Sequence, residues 1–377
     1  MKKIAVVTFH RAHNFGSVLQ TYALQEYVKH LGNEVGVDIE YKVIDFYTEK
    51  QEELYNVYKS GRNIRNIIKN IITCFYVKAL EEKHNKFDEF ITQKIHLTKR
   101  FLTENDLKKD IPDADYYISG SDQIWNVRAK DFSDIYFLDF VNRGRKISYA
   151  ASFGPLKIDW NQYDKEKYAH LLNEYASVSV REDGSQENIG YLTHQECCVN
   201  VDPTLLLNCE QWRKIQSDAN YNEGQYILLY CLEPSKEQLK MAKAISKKLK
   251  LPILVLRYNN KNDMFNSFVK RYDSGPTDFL AYIDHAALVL SSSFHGTAFS
   301  LIYHKPFYVF NGMRDNRIAY ILTKTDMVDH SLESLTDVER VTLKKLNEET
   351  IELFIKEEVN KSTEYFRKAL EFEGKKE

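Results

Sequence analysis

Short apolar runs that end in polar turns and lead into helices recur along this chain, and that alternation constrains the fold more than any other feature. Ile4 to Thr8 reads as a strand, His13, Asn14, Phe15 and Gly16 as a loop, and Ser17 to about Leu31 as a helix closed by Gly32. Leu24, Tyr27, Val28 and Leu31 share one face of that helix, and YKVIDF follows as the next strand. Such a strand-helix-strand unit belongs to a sheet covered by helices. A second series opens near Gln225 with YILLYCL, a helix from about Ser235 to Leu249, and PILVLRY. It continues with TDFLAYIDHA as a helix, the strand ALVLS, a helix from about Gly296 to His304, and the strand PFYVF.

Between the first units the pattern changes. Residues from about 49 to 109, around RNIRNIIKNIITCFYVKAL, read as an inserted helical region, basic in places. Strands resume in DADYYISGSDQIWN, KISYAASFG, SVSVREDGS and CCVNVDP, each running into a polar turn where sites gather. The expected organisation is an α/β chain with a first domain over residues 1–209 carrying the insertion at 49–109. A second domain covers 210–341, and a closing helix over 342–377 is free to pack back on the first domain.

The 377 residues and 44.3 kDa leave room for two cores. A formal net charge of -2 argues against a general electrostatic grip on nucleic acid, so any anion must be held by local features. The opening MKKIAVVTFHR loses its apolar character at Thr8 and His10, and nowhere do about 18 apolar residues follow one another. Neither a secretory signal nor a membrane span is predicted. Five cysteines, with no C-x-x-C pair, point to reduced cytosolic thiols, and Cys197 and Cys198 in CCVNV read as part of a buried strand. His10 and His13 lack a carboxylate or thiol nearby in sequence, so no metal site is predicted. These features place the protein in the cytoplasm, with room for a peripheral association at the inner face of the membrane.

The stretch SSSFHGTAFS, directly after the apolar run ALVL, brings hydroxyls, a titratable ring and helix-opening backbone donors to one corner. With Ser292 or Ser293 as the cap, the first N–H groups and the helix dipole favour a negative ligand. The dipole alone disfavours an imidazolium at His295, whereas a bound multivalent anion favours one. The same letters also fit a plain strand-helix corner with capping serines. Arg181, at the end of the alternating run SVSV, suits a bidentate clamp on phosphate or carboxylate, or an ion pair with Glu182 or Asp183. In GSDQIWN, Ser121 and Asp122 sit on a loop beside Trp125; Asp122 can accept a proton from a sugar hydroxyl or cap a helix. Neither G-x-G-x-x-G nor G-x-x-x-x-G-K-[ST] occurs, which weakens dinucleotide and P-loop readings.

Taken in order, NFGSVLQTYALQ, ISGSDQIWN, SYAASFG, SVREDGS, VDPTLLL and SSFHGTAFSLIYHKPF, with GPTDFLAYI among them, resemble the polysaccharide pyruvyl transferase family. The resemblance runs from about Asn14 to Phe310. It implies two Rossmann-like domains facing a cleft, similar to type B glycosyltransferases. It also implies transfer of the pyruvyl group of phosphoenolpyruvate to hydroxyls of a cell-surface glycan or its lipid-linked precursor, with release of phosphate. His295 and Arg181 match the family histidine and the arginine of the S-V-R-E block, and Asn14 and Gly16 match the N-terminal loop motif. The catalytic residues implied are His295 and Arg181. Ser292, Ser293, Gly296, Asn14 and Gly16 fall on the donor side, and Ser121, Asp122 and Trp125 on the acceptor side. Many members carry arginine two residues before the histidine, where this chain has Ser293.

Carbon protonation of the enol needs a positioned acid, which the resemblance makes His295. Phosphate expulsion needs fixed cationic donors rather than a metal, so no cofactor is expected beyond the donor substrate. A type B glycosyltransferase using a nucleotide sugar is the alternative enzyme. A glycan- or anion-binding member without transfer chemistry is the alternative outside enzymes, and Ser293 is the feature that favours it.

Overall fold

The computed structural model describes residues 1–58, 70, 73–257 and 266–372. The chain divides into two compact units, one of Met1–Tyr55, Ile91–Leu206 and Ile355–Glu377, the other of Asn56–Phe90 and Leu207–Phe354.

Each unit is built on one parallel sheet. In the first unit the strands are β1 (Lys2–Val7), β2 (Ile39–Phe46), β3 (Leu97–Phe101), β4 (Tyr116–Ser119), β5 (Arg145–Ser148), β6 (Tyr175–Val180) and β7 (Cys197–Val199). They lie in the order β3-β2-β1-β4-β5-β6-β7, every pair parallel. In the second unit, β8 (Ile227–Tyr230), β9 (Ile253–Val255), β10 (Val269–Lys270), β11 (Leu288–Ser291), β12 (Phe307–Phe310) and β13 (Ser331–Leu332) lie as β10-β9-β8-β11-β12-β13. Both sheets start in the middle, run outward to one edge and return to complete the other. That is the doubly wound, Rossmann-like order, and it creates one switch point per sheet, β1/β4 in the first and β8/β11 in the second.

The strands read as unbroken apolar runs, ILLY in β8 and FYVF in β12, because helices cover both faces of a parallel sheet. The first core gathers Trp125, Phe137, Phe153, Trp160 and Tyr168; the second gathers Ile227, Leu229, Met241, Ile245, Leu288 and Leu290. Within the first unit, the later part of the helix Glu348–Ala369 docks on the end of β5: Phe366 stacks on Tyr149 at 4.4 Å, and the Tyr365 hydroxyl donates to the Ser148 carbonyl at 2.5 Å. Among the described residues no helix is long and apolar enough to cross a membrane.

Several local expectations are corrected. The first helix spans Phe15–Glu34, capped by Asn14, and continues past Gly32. A Cβ at Gly32 would stand 2.3 Å from Ile39 Cδ1, so this glycine permits a close approach of helix and strand, and Gly36, at φ 71°, provides the left-handed turn beyond the helix end. The stretch 49–109 is not all helical. It holds the helices Glu49–Tyr55, Val77–Lys94 and Glu104–Lys109, and also β3, whose LTKRF pairs with β2 as an edge strand with Lys99 and Arg100 exposed. Much of its predicted helical centre, residues 59–69, 71 and 72, lies outside the described residues. Cys197 and Cys198 do not sit in a buried strand, because β7 is a short margin of the sheet where Cys198 is exposed and Cys197 half-buried.

Candidate functional site

Ligands of open α/β sheets bind beyond the carboxyl ends of the strands at the switch point. In the second unit that place is the end of β11, beside β8. Ser291 closes β11, Ser292 is half-buried, and Ser293, extended at φ −112° and ψ 137°, is the N-cap of the helix Phe294–Ile302. The Ser291 hydroxyl accepts from the Ser293 amide at 2.9 Å and donates to the Tyr230 carbonyl at 3.1 Å, fastening the corner to the end of β8. No side chain caps this helix. The positive end of its dipole therefore lies at the end of β11 with no side chain set against it as a cap.

Gly296 makes the corner this tight. A Cβ there would lie 2.3 Å from Ser291 Oγ and 2.9 Å from Tyr230 Cδ1. His295 precedes it in the first turn, largely buried, with its ring edge-on to Phe294 at 5.4 Å and 80°. The structure thus brings together three of the predicted donor-side residues, Ser292, Ser293 and Gly296, with the predicted catalytic residue His295 at one switch point.

The switch point of the first unit is organised differently. Asn14 caps the helix Phe15–Glu34, its Oδ1 accepting from the Gly16 amide at 3.0 Å and the Ser17 amide at 3.5 Å. Asn14 and Gly16 are therefore where the loop motif was expected, but the amide side chain already occupies the helix mouth. Ser17 donates to Asp122 Oδ2 at 2.6 Å, and Asp122, at φ 75°, also accepts from the Gln123 amide at 2.8 Å and from Arg181 Nη2 at 3.4 Å. Arg181 donates from Nη1 to Asp202 at 2.8 Å, while its Nε lies 3.6 Å from Glu182. Asp202 in turn accepts from the Thr204 amide and hydroxyl.

These contacts overturn the reading of Arg181 as an open clamp. Its side chain is 1% exposed and surrounded by the carboxylates of Asp122, Glu182 and Asp202. Burial opposes the guanidinium charge, but the three carboxylates outweigh it and hold the pKa above its ordinary value. Trp125 is likewise no wall for an acceptor. It is fully buried, stacked on Phe137 at 5.3 Å, with Nε1 donating to the Tyr136 carbonyl. Ser121 is fully buried too, its hydroxyl donating to the Ala150 carbonyl. Asp122 makes no helix cap; its carboxylate is taken up by the Ser17 hydroxyl, the Gln123 amide and the Arg181 guanidinium.

Sequence reasoning missed a second ionic knot in this unit. His10 faces Asp45 Oδ1 at 2.9 Å through Nε2 and the Thr8 carbonyl at 3.1 Å through Nδ1, and Arg11 donates to both Asp45 oxygens at 2.6 Å. Burial alone would raise the Asp45 pKa, yet the hydrogen bonds and charges of Arg11 and His10 hold it well below the usual carboxylate range. Asp45 closes a strand in YKVIDF, and only the paired loop, 35 residues upstream, reveals its partners.

Two Rossmann-like domains, each with its strand-end switch point, make up the fold class of type B glycosyltransferases, a fold that by itself assigns no activity. The model of one family, polysaccharide pyruvyl transferase, matches residues 14–312, and the chain belongs to that family. No curated protein matches the sequence significantly. Among solved structures, the chain is similar to UDP-N-acetylglucosamine 2-epimerase from Rickettsia bellii, with 12% identity, a TM-score of 0.50, and coverage of 99% of this chain and 100% of that one. The same enzyme from Neisseria meningitidis, bound to UDP-GlcNAc, is 11% identical with a TM-score of 0.49, covering 98% and 94%. A heptosyltransferase from E. coli is 10% identical with a TM-score of 0.40, covering 94% and 99%. The first of these likenesses supports the fold and nothing finer.

Proposed function

We propose that this chain transfers the pyruvyl group of phosphoenolpyruvate to hydroxyls of a polysaccharide or its precursor, releasing phosphate. The observation that carries the reading is the position of His295, in the uncapped first turn of a helix at the β8/β11 switch point, within a chain of this family. His295 gives its proton to the methylene carbon of the enol, and a sugar hydroxyl bonds to the adjacent carbon. A second hydroxyl then displaces phosphate from that carbon and closes a ketal, so one diol and one donor give one ketal and one phosphate. The helix-opening amides and the hydroxyls of Ser292 and Ser293 hold the negative groups of the donor, where a fixed dipole costs no reorganisation. Arg181 acts at a distance, as the residue that fixes the strand ends of its own unit. A glycolytic donor places the reaction in the cytoplasm.

The test is phosphate release from phosphoenolpyruvate, with glycan acceptors carrying neighbouring free hydroxyls, alongside the melting temperature with donor alone. Acceptor-dependent phosphate release together with donor stabilisation supports transfer. A second reading, a binding member without transfer, is favoured by Ser293 standing where many members have arginine. It expects donor stabilisation with no phosphate from any acceptor. Stabilisation by nucleotide sugars instead would remove the pyruvyl donor; a ligand at about 100 times its Kd adds about 2.7 kcal/mol.

A further inference from the structure

Beside the corner at the end of β11 stands a cation that the histidine motif does not contain. β12 is the neighbouring strand, and the chain leaving it turns at Asn311, φ 53°, into the helix Asn316–Lys324. Asp315 caps that helix by accepting from the Arg317 amide at 3.0 Å. The same carboxylate grips the Arg317 side chain on both oxygens, Nε to Oδ1 at 2.9 Å and Nη2 to Oδ2 at 2.6 Å. The guanidinium so held lies over the ring of Phe294, with Cζ 5.4 Å from the centroid. Phe294 opens the helix that carries His295, and its ring abuts the imidazole.

Two of the five N–H donors of this guanidinium go to Asp315. Nη1 makes no hydrogen bond among the described residues. The fork is fixed on one side by a carboxylate and on one face by an aromatic ring, and its side chain is 11% exposed. Its rotamer is set before any ligand arrives, so binding through the open edge loses little side-chain entropy. Among the described residues, Arg314, 76% exposed, lies 3.5 Å from Glu333, and Lys305 lies 3.6 Å from Asp284.

We propose that Arg317 supplies the donor-binding cation of this site, its open edge taking the carboxylate or phosphate of phosphoenolpyruvate at the mouth of the helix Phe294–Ile302. The proposal rests on the reading of this corner as the donor site. Arg317 lies beyond residues 14–312 matched by the family model, so it is not part of that match. On this reading an arginine at Ser293 would bring a second guanidinium to the corner that Arg317 serves.

The test is calorimetric titration of the full chain with phosphoenolpyruvate, and separately with inorganic phosphate, for wild type, Arg317→Met, Arg317→Lys, Ser293→Arg and the double variant Ser293→Arg/Arg317→Met. Arg317→Met is expected to weaken donor binding about tenfold or more, the loss of a charge-assisted fork. Arg317→Lys should lose less, since it keeps a point charge. Ser293→Arg should weaken binding in the wild-type background and restore part of it in Arg317→Met. Donor affinity of Arg317→Met within twofold of wild type overturns the proposal, as does a double variant no better than Arg317→Met. Where Arg317→Met lowers the unliganded melting temperature sharply, Arg317→Lys decides, and affinity within twofold of wild type overturns the proposal. If wild type binds phosphate through Arg317 but not phosphoenolpyruvate, the donor reading fails while the anion role of Arg317 stands. Phosphate binding indifferent to Arg317 removes that role.

Discussion

The two switch points of this molecule occupy the same position in two similar sheets and are finished in opposite ways. In the first unit the strand ends from β4 to β7 are crossed by charged side chains that answer one another, with Arg181 among Asp122, Glu182 and Asp202, and beside β1 Asn14 closes its own helix mouth. At β8/β11 the helix mouth has no side-chain cap, and the groups around it are hydroxyls, a histidine and a glycine. One corner spends its polar groups on holding the chain together. The other leaves its helix mouth without a side-chain cap, the arrangement the proposed anion site would use.

The largest expected effect breaks the first corner. Arg181→Met leaves three buried carboxylates without their common cation, and removing one partner of a buried ion pair costs about 3–5 kcal/mol. Urea unfolding should show that loss, and a midpoint near that of wild type would return Arg181 to the class of ligand-facing residues. The second effect falls on the other corner and on turnover. His295→Asn keeps size and a hydrogen-bond donor but delivers no proton, so phosphate release should fall about 10²-fold, or about 2.7 kcal/mol, with donor binding retained. Turnover within a few fold of wild type would make the histidine part of the corner's packing.

A smaller effect tests how closely the second corner is built. Gly296→Ala puts a Cβ against Ser291 Oγ and Tyr230, an overpacking that costs about 1–3 kcal/mol. A variant as stable as wild type would show that the strand ends yield. The smallest concerns acid. The pKa of Asp45 is lower folded than unfolded, so its contribution is complete above about 3.9 and fades as pH falls from there toward the folded value. His10 and Arg11 are the charges that face it. Melting temperature followed from about pH 5 to about pH 3 should fall less steeply in Asp45→Asn than in wild type. Equal slopes would remove Asp45 from the acid response.

The corner at β11 was legible in sequence because everything in it is local: LVLS, the serines, His295 and Gly296 are contiguous, and a strand followed by an apolar helix has a recognisable period. Both parallel sheets were legible for the same reason. The first corner was not, because Asp122, Arg181 and Asp202 come from three separate strand ends and no spacing announces that they meet. Trp125 misled because its loop-like neighbours GSDQ and N are polar, while the indole itself fills the core. β3 escaped because LTKRF is an edge strand, whose exposed Lys99 and Arg100 break the alternation that marks a half-buried one. Arg317 stood outside every recognised block, and only the adjacency of β11 and β12 brings it to Phe294.

The margins of the two sheets have a consequence for the life of the protein in a crowded solution. A sheet covered on both faces shows unpaired backbone only along its outermost strands, and those are what a foreign strand would extend into an aggregate. Here β7 has three residues, β10 and β13 two each, and the longer β3 carries a lysine and an arginine side by side. A strand so short offers too few hydrogen bonds to template another, and like charges at the remaining margin repel a second copy of the same chain. Among the described residues, thirteen strands are thus assembled in a form that gives other strands little to join.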